Sequence, residues 1–172
     1  MTLTEYQKEC RRTFPEMGPI AVDLAHMVLG LSSEYNEYID AVESRNSINV
    51  SEECADMMWY LANYCTLRGY DLQEIFDKKP SYYYTFNYNL SKLQDLVKKY
   101  LVYNKEIDTE KEKEILRFLS FDIYIFFKQT TISIEQSLQN NIDKLKVRFP
   151  EKFTKEAANN RDLEAELKEL SK

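Results

Sequence analysis

Two stretches decide the fold: Leu29–Glu43, LGLSSEYNEYIDAVE, and Ser51–Cys65, SEECADMMWYLANYC. The first continues a series that starts upstream. Leu24, Val28, Leu31, Tyr35, Tyr38 and Val42 recur at alternating steps of four and three, the seam of a bundle helix. A helix is therefore expected over about Pro19–Ser44. Asn46–Asn49 reads as a polar loop. Ser51 is expected to cap a second helix, running to about Arg68, where Gly69 stops it. Each helix carries two acids three residues apart, Glu34 with Glu37 and Glu53 with Asp56. Residues so spaced share a helix face.

Further along, Asp71 is expected to cap a short helix, Leu72–Lys79, which Pro80 ends. Ser81–Asn89 (SYYYTFNYN) fits no period and reads as a linker or an ordered aromatic loop, with the tyrosines at 82–84 at its surface. Helices are expected over about Leu90–Tyr103, Glu110–Lys128 and Ser133–Arg148, and a charged one from Thr154 to about Leu170. Nothing marks a domain boundary, so residues 1–172 read as a single all-α domain. Its acid-bearing helices occupy about 19–79, further helices about 80–139, and a tail block 140–172.

Composition agrees. With 3 Gly and 4 Pro in 172 residues, the chain lacks the turns of a many-stranded sandwich or barrel. Glycines only at 18, 30 and 69 exclude G-x-G-x-x-G and the Walker P-loop. One histidine, His26, excludes His-rich zinc sites and the paired E-x-x-H of di-iron oxidases. A net charge of −6 disfavours nucleic acid and anionic membrane as partners. The longest aliphatic–aromatic run, Ile123–Phe127, is too short to span a bilayer. MTLTEYQKECRR lacks the apolar core of a signal peptide. Three cysteines without metal spacing read as reduced thiols, so a cytoplasmic protein is expected.

Seven i,i+3 acid pairs occur in the chain, so spacing alone does not single out a site. Placement distinguishes two of them. Glu34 lies between Leu31 and Tyr38 on its face, Glu53 precedes Met57 by one turn, and Asp56 precedes Trp59 and Tyr60. These acids border the apolar stripe. Two antiparallel neighbours would point four carboxylates into one space, tolerable when divalent cations fill it; oxygen ligation suits Mg²⁺ or Mn²⁺. The alternative is half-buried acids paired with Lys or Arg from another helix.

The same stretches carry a resemblance. Leu29–Glu43 resembles the first motif of the MazG-like nucleoside triphosphate pyrophosphohydrolases, and Ser51–Cys65 their second, E-x-x-D before an aromatic–aliphatic helix. GYDLQEIF (Gly69–Phe76) is similar to the turn and short helix that follow. NIDKLKVRFPEKF (Asn141–Phe153) and NRD (Asn160–Asp162) resemble the tail of short, often phage-encoded members. Ser33 and Asn36 stand where members often have Gly, and residues 46–52 lack a Lys that many carry. Roughly sixty residues, Asp77–Gln139, intervene before the tail block.

The resemblance implies an all-α bundle and Mg²⁺-dependent cleavage of a (d)NTP between the α and β phosphates, with Mn²⁺ as a substitute. Glu34, Glu37, Glu53 and Asp56 would be catalytic and metal-holding. Lys144, Arg148, Asn141 and Arg161 would lie on the phosphate side, and Trp59 beside the base. His26 is expected to pack in the core or to make a surface hydrogen bond. A shift of 64 residues lays Tyr124 on Tyr60, Arg117 on Glu53 and Ser120 on Asp56. The intervening segment is then a degenerate second repeat, with a turn about two residues shorter, that makes the chain a monomeric pseudo-dimer. The alternative is a decorative helical hairpin that alters the pocket or the partner surface; a homodimer is the other assembly expected. A non-catalytic nucleotide- or protein-binding descendant of the family is the other functional reading.

Overall fold

The computed structural model describes residues 1–80 and 84–170; Tyr82 and Tyr83 of the tyrosine run lie outside them. Among the described residues the fold is all-α, with nine helices and no strand. They are α1 (Leu3–Arg12), α2 (Ile20–Glu43), α3 (Ser47–Arg68), α4 (Leu72–Asp77), α5 (Phe86–Tyr103), α6 (Thr109–Phe127), α7 (Ile134–Arg148), α8 (Lys155–Asn159) and α9 (Leu163–Leu170).

The four long helices α2, α3, α5 and α6 form a ring. Both α2 and α6 pack on α3 and on α5. The seam of α2 turns inward as its period requires: Leu24, Val28, Leu31 and Tyr38 are buried, while Val42 at its end is exposed. Tyr35 stacks on Phe86 at 4.4 Å and Tyr38 on Phe126 at 4.5 Å, fastening α2 to α5 and α6. Two shorter helices cross over. The first, α4, follows α3 yet packs on α6 as well, whereas α7 follows α6 and packs on α3.

Local chemistry sets the ends. Gly69 takes the left-handed conformation, φ 69°, that stops α3. The Asp71 carboxylate accepts the N–H groups of Gln73 and Glu74 at the start of α4. On α6, Glu112 is fully buried and accepts hydrogen bonds from Tyr64 Oη (2.6 Å), Tyr70 Oη (2.5 Å) and Arg68 Nε (3.0 Å). A buried carboxylate survives folding only with such partners, and these tie α6 to the end of α3.

Several expected boundaries move. α3 begins four residues before Ser51, because Asn46 caps it by accepting the Asn49 N–H. Ser51 is instead buried inside α3, with its Oγ 2.6 Å from Ser137 Oγ on α7. α5 reaches back to Phe86, capped by Thr85, so the second half of the expected loop is helical. The α6–α7 turn, 128–133, is longer than the 69–71 turn rather than shorter. The charged tail is two helices, interrupted at Asn160–Asp162. A helix without an expectation, α1, buries Leu3, Tyr6 and Cys10, and Thr2 and Glu5 form a capping box at its start. All three cysteines are buried and unbridged.

Candidate functional site

Carboxylate oxygens of Glu34, Glu37 and Glu53 all lie within 4.8 Å of one another. Helix period places Glu34 and Glu37 on one face of α2, and the α2–α3 packing sets Glu53 opposite them. Exposure falls across the group: Glu37 is exposed, Glu34 partly buried, and Glu53 buried. Burial, and next the charge of Asp56, raise the Glu34 carboxyl to about 7 and push Glu53 up further still. A hydrogen bond joins the two, with Glu53 the protonated partner it favours. Three converging carboxylates, two of them raised by burial and by neighbouring negative charge, fit a hard divalent cation.

Asp56 does not join this trio. Its Oδ1 accepts Asn141 Nδ2 at 2.5 Å, and its Oδ2 accepts Lys144 Nζ at 2.6 Å. Lys144, only 2 % exposed, also reaches Glu52 Oε1 at 3.1 Å. The Tyr6 hydroxyl lies 2.8 Å from Asn141 Oδ1, which turns the Asn141 amide group toward Asp56. α1, α3 and α7 thus meet at one carboxylate.

The two expected phosphate-side arginines are also engaged. Arg148 grips Glu166 through Nε (2.9 Å) and Nη2 (2.5 Å), and Arg161 Nη2 reaches the same acid at 2.7 Å. These bonds fasten α9 to α7 and hold the Glu166 carboxyl down at about 2, despite its burial.

A cavity of about 190 Å³ adjoins the acids. Glu34, Asp56 and Arg148 line it, with Trp59, Tyr60 and Phe149 among its walls. Trp59 is fixed there by donating from Nε1 to Thr13 Oγ1 at 3.0 Å. Tyr60 depends on Gly30, since a Cβ at residue 30 would sit 2.1 Å from its ring. A larger groove, about 820 Å³, runs between α2 and α5 past Leu29, Lys92 and Leu101. It holds none of the converging acids, so the smaller cavity is the one that matters for chemistry.

His26 departs from the expectation of core packing or a surface hydrogen bond: it lines this cavity, and its Nδ1 is buried without a partner. Glu52, Tyr6 and Glu166 were absent from the sequence-level site. Glu52 lies one turn before Asp56, a readable signal; Tyr6 and Glu166 come from helices whose docking periodicity does not reveal.

No helix among the described residues is long and apolar enough to cross a membrane. Among curated proteins and solved structures, none matches the chain significantly. The stretch 23–80, which spans nearly all of α2, then α3 and α4 and carries Glu34, Glu37, Glu53 and Asp56, matches the model of the MazG nucleotide pyrophosphohydrolase domain.

Proposed function

We propose that this protein is a Mg²⁺-dependent pyrophosphohydrolase that converts a (d)NTP and water to (d)NMP and pyrophosphate. The observation that carries the reading is the convergence of Glu34, Glu37 and Glu53 beside an aromatic-walled cavity, within the stretch that matches the family. Those three residues would hold the ion, with Mn²⁺ as a substitute. A divalent ion there supplies Lewis-acid chemistry, neutralising phosphate charge and favouring ionisation of water.

The chain's own groups do the rest. Lys144 and Asn141 fix Asp56 at the cavity wall, and Lys144 offsets the charge that Asp56 and Glu52 would otherwise add to the cluster. Trp59 and Tyr60 present aromatic surface to a base. Arg148 offers two parallel donors suited to phosphate oxygens, which would replace the Glu166 carboxylate on it. A carboxylate of the cluster takes the proton of the attacking water, which adds to the α phosphorus as the bond to the bridging oxygen breaks. Pyrophosphate leaves with that oxygen.

One observation favours the second reading, a non-catalytic nucleotide- or protein-binding protein. The cations expected to face phosphate are already paired with carboxylates. A panel of common NTPs and dNTPs, including dUTP, separates the two. Mg²⁺-dependent NMP and pyrophosphate, abolished by Glu53→Gln, supports the hydrolase. No turnover by folded protein with metal present would overturn it.

The crossing of α4 onto α6 and of α7 onto α3 supports the monomeric pseudo-dimer. In that reading α5–α7 is the degenerate partner of α2–α4, with Arg117 and Ser120 where the first half has Glu53 and Asp56.

A further inference from the structure

His26 brings to the cavity a buried ring nitrogen without a hydrogen-bond partner. It lies on α2 about two turns before Glu34 and lines the same space. Its ring meets the Tyr60 ring at 5.9 Å in a T-shaped contact, which is no hydrogen bond. Nδ1 is buried and unpartnered. The neighbouring polar groups are committed elsewhere. Trp59 Nε1 donates to Thr13, and Asp23 Oδ1 accepts the Met17 N–H at 2.9 Å. A buried polar atom without a partner is costly, and because the ring that carries it lines a cavity, a turn of the imidazole about its Cβ–Cγ bond can present that nitrogen to a ligand.

The cavity limits what that ligand can be. At about 190 Å³ it is smaller than the roughly 300–1,000 Å³ of sites that enclose a drug-sized ligand. It admits one flat ring system, with the remainder of a nucleotide outside. Trp59, Tyr60, Phe149 and Phe153 supply apolar and aromatic wall for such a ring. Burial lowers the His26 pKa, against the opposing charge of Asp23, so the neutral ring is favoured. Neutral imidazole carries one donor and one acceptor, the complement of a base edge.

We infer that this cavity receives the base of the nucleotide and that the His26 ring reads the base edge through a hydrogen bond, setting base preference. The inference rests on the nucleotide reading above. It makes His26 a specificity residue and gives it no part in the bond-breaking step.

Trp59 is the chain's one tryptophan, so its emission reports on this cavity. The four common ribonucleoside 5′-monophosphates, dUMP and dTMP would be titrated to millimolar concentration without metal. They would be added to the parent, to His26→Phe, which keeps the ring contact with Tyr60, and to His26→Gln, which keeps a donor and an acceptor. Thermal melts of both variants check folding. The expected result is a saturable, base-selective change in emission. His26→Phe should weaken the preferred monophosphate about tenfold and level the panel, and His26→Gln should recover part of the selectivity. An unchanged ranking in His26→Phe would overturn the inference, and so would a parent whose emission no monophosphate alters. The hydrolase reading is judged separately, by Mg²⁺-dependent turnover. If turnover is absent but selective, His26-dependent quenching is present, that reading falls and the base-reading role stands. If turnover is present and His26→Phe keeps the parent's ranking, the reverse holds.

Discussion

The Lys144 ammonium lies 2.6 Å from Asp56 Oδ2 and 3.1 Å from Glu52 Oε1, with the lysine side chain 2 % exposed. This buried cation on α7 is the counter-charge of an acid-rich seam on α3. Removing one partner of a buried pair strands the other in low dielectric. Lys144→Met should therefore destabilise the protein by about 3 kcal/mol in urea unfolding, with Asp56 and Glu52 left uncompensated. A loss below about 1 kcal/mol would mean that water already screens the pair, as at an exposed bridge.

The cluster also sets a pH signature for the metal-free protein. Folding raises the Glu34 carboxyl from the usual 4.5 to about 7 and Glu53 in the same direction. Across that window the folded state binds more protons than the unfolded chain, so stability falls as pH rises. The melting temperature without metal should drop between about pH 5 and pH 8, and saturating Mg²⁺ should flatten the drop by taking the protons' place. Glu166 works in the opposite sense at lower pH. Its carboxyl is held at about 2, so the stability it contributes is lost only as pH falls from about 4.5 through that value. A metal-free melting temperature that stays level from pH 5 to pH 8 would contradict the shared-proton description.

Gly30 gives a packing test. Alanine is ordinarily the better helix residue by about 1 kcal/mol. Here its Cβ would meet the Tyr60 ring at 2.1 Å. Tyr60 must then move, and it lines the cavity. Gly30→Ala should lower stability by about 1–3 kcal/mol and disturb Trp59 emission, because Trp59 packs edge-on against Tyr60 at 4.9 Å. A stabilised variant with unchanged emission would show that the ring has room to turn.

What the sequence made legible follows from which forces are local. The seam from Leu24 to Tyr38, the stop at Gly69 and the cap at Asp71 are properties of short segments, and the structure repeats them. The convergence of Glu34, Glu37 and Glu53 was legible because helix period fixes their faces. The engagement of Asp56 was legible only in kind, as a half-buried acid paired with a cation from another helix; its partners Lys144 and Asn141 lie more than eighty residues away. The cavity position of His26, beside Trp59 and Tyr60 of another helix, is likewise a matter of packing that periodicity does not encode. Two misses did carry local signals. Thr2 with Glu5 is a capping box that announces α1, and Asn46 is as good a cap as Ser51 for α3.

The ring of α2, α3, α5 and α6 bears on assembly. In the pseudo-dimer reading proposed above, α5 and α6 of the same chain cover faces of α2 and α3 that a second copy would otherwise fill. The protein should therefore sediment as a 20.5 kDa monomer that retains activity. An obligate dimer whose activity vanishes on dilution, with α2 and α3 in the interface, would contradict the pseudo-dimer.

On the proposed reading, Glu34, Glu37 and Glu53 together hold a divalent cation. Mn²⁺ titration followed by electron paramagnetic resonance tests it without any assumption about the substrate. The parent should bind Mn²⁺ saturably and release protons as it does so, because the metal displaces those held by Glu34 and Glu53. Glu34→Gln, Glu37→Gln and Glu53→Gln should each weaken binding about tenfold or more, while Glu43→Gln, at the exposed end of α2, should leave it unchanged. Binding by the parent that is no tighter than by the triple Gln variant would mean that these three carboxylates do not form a metal site.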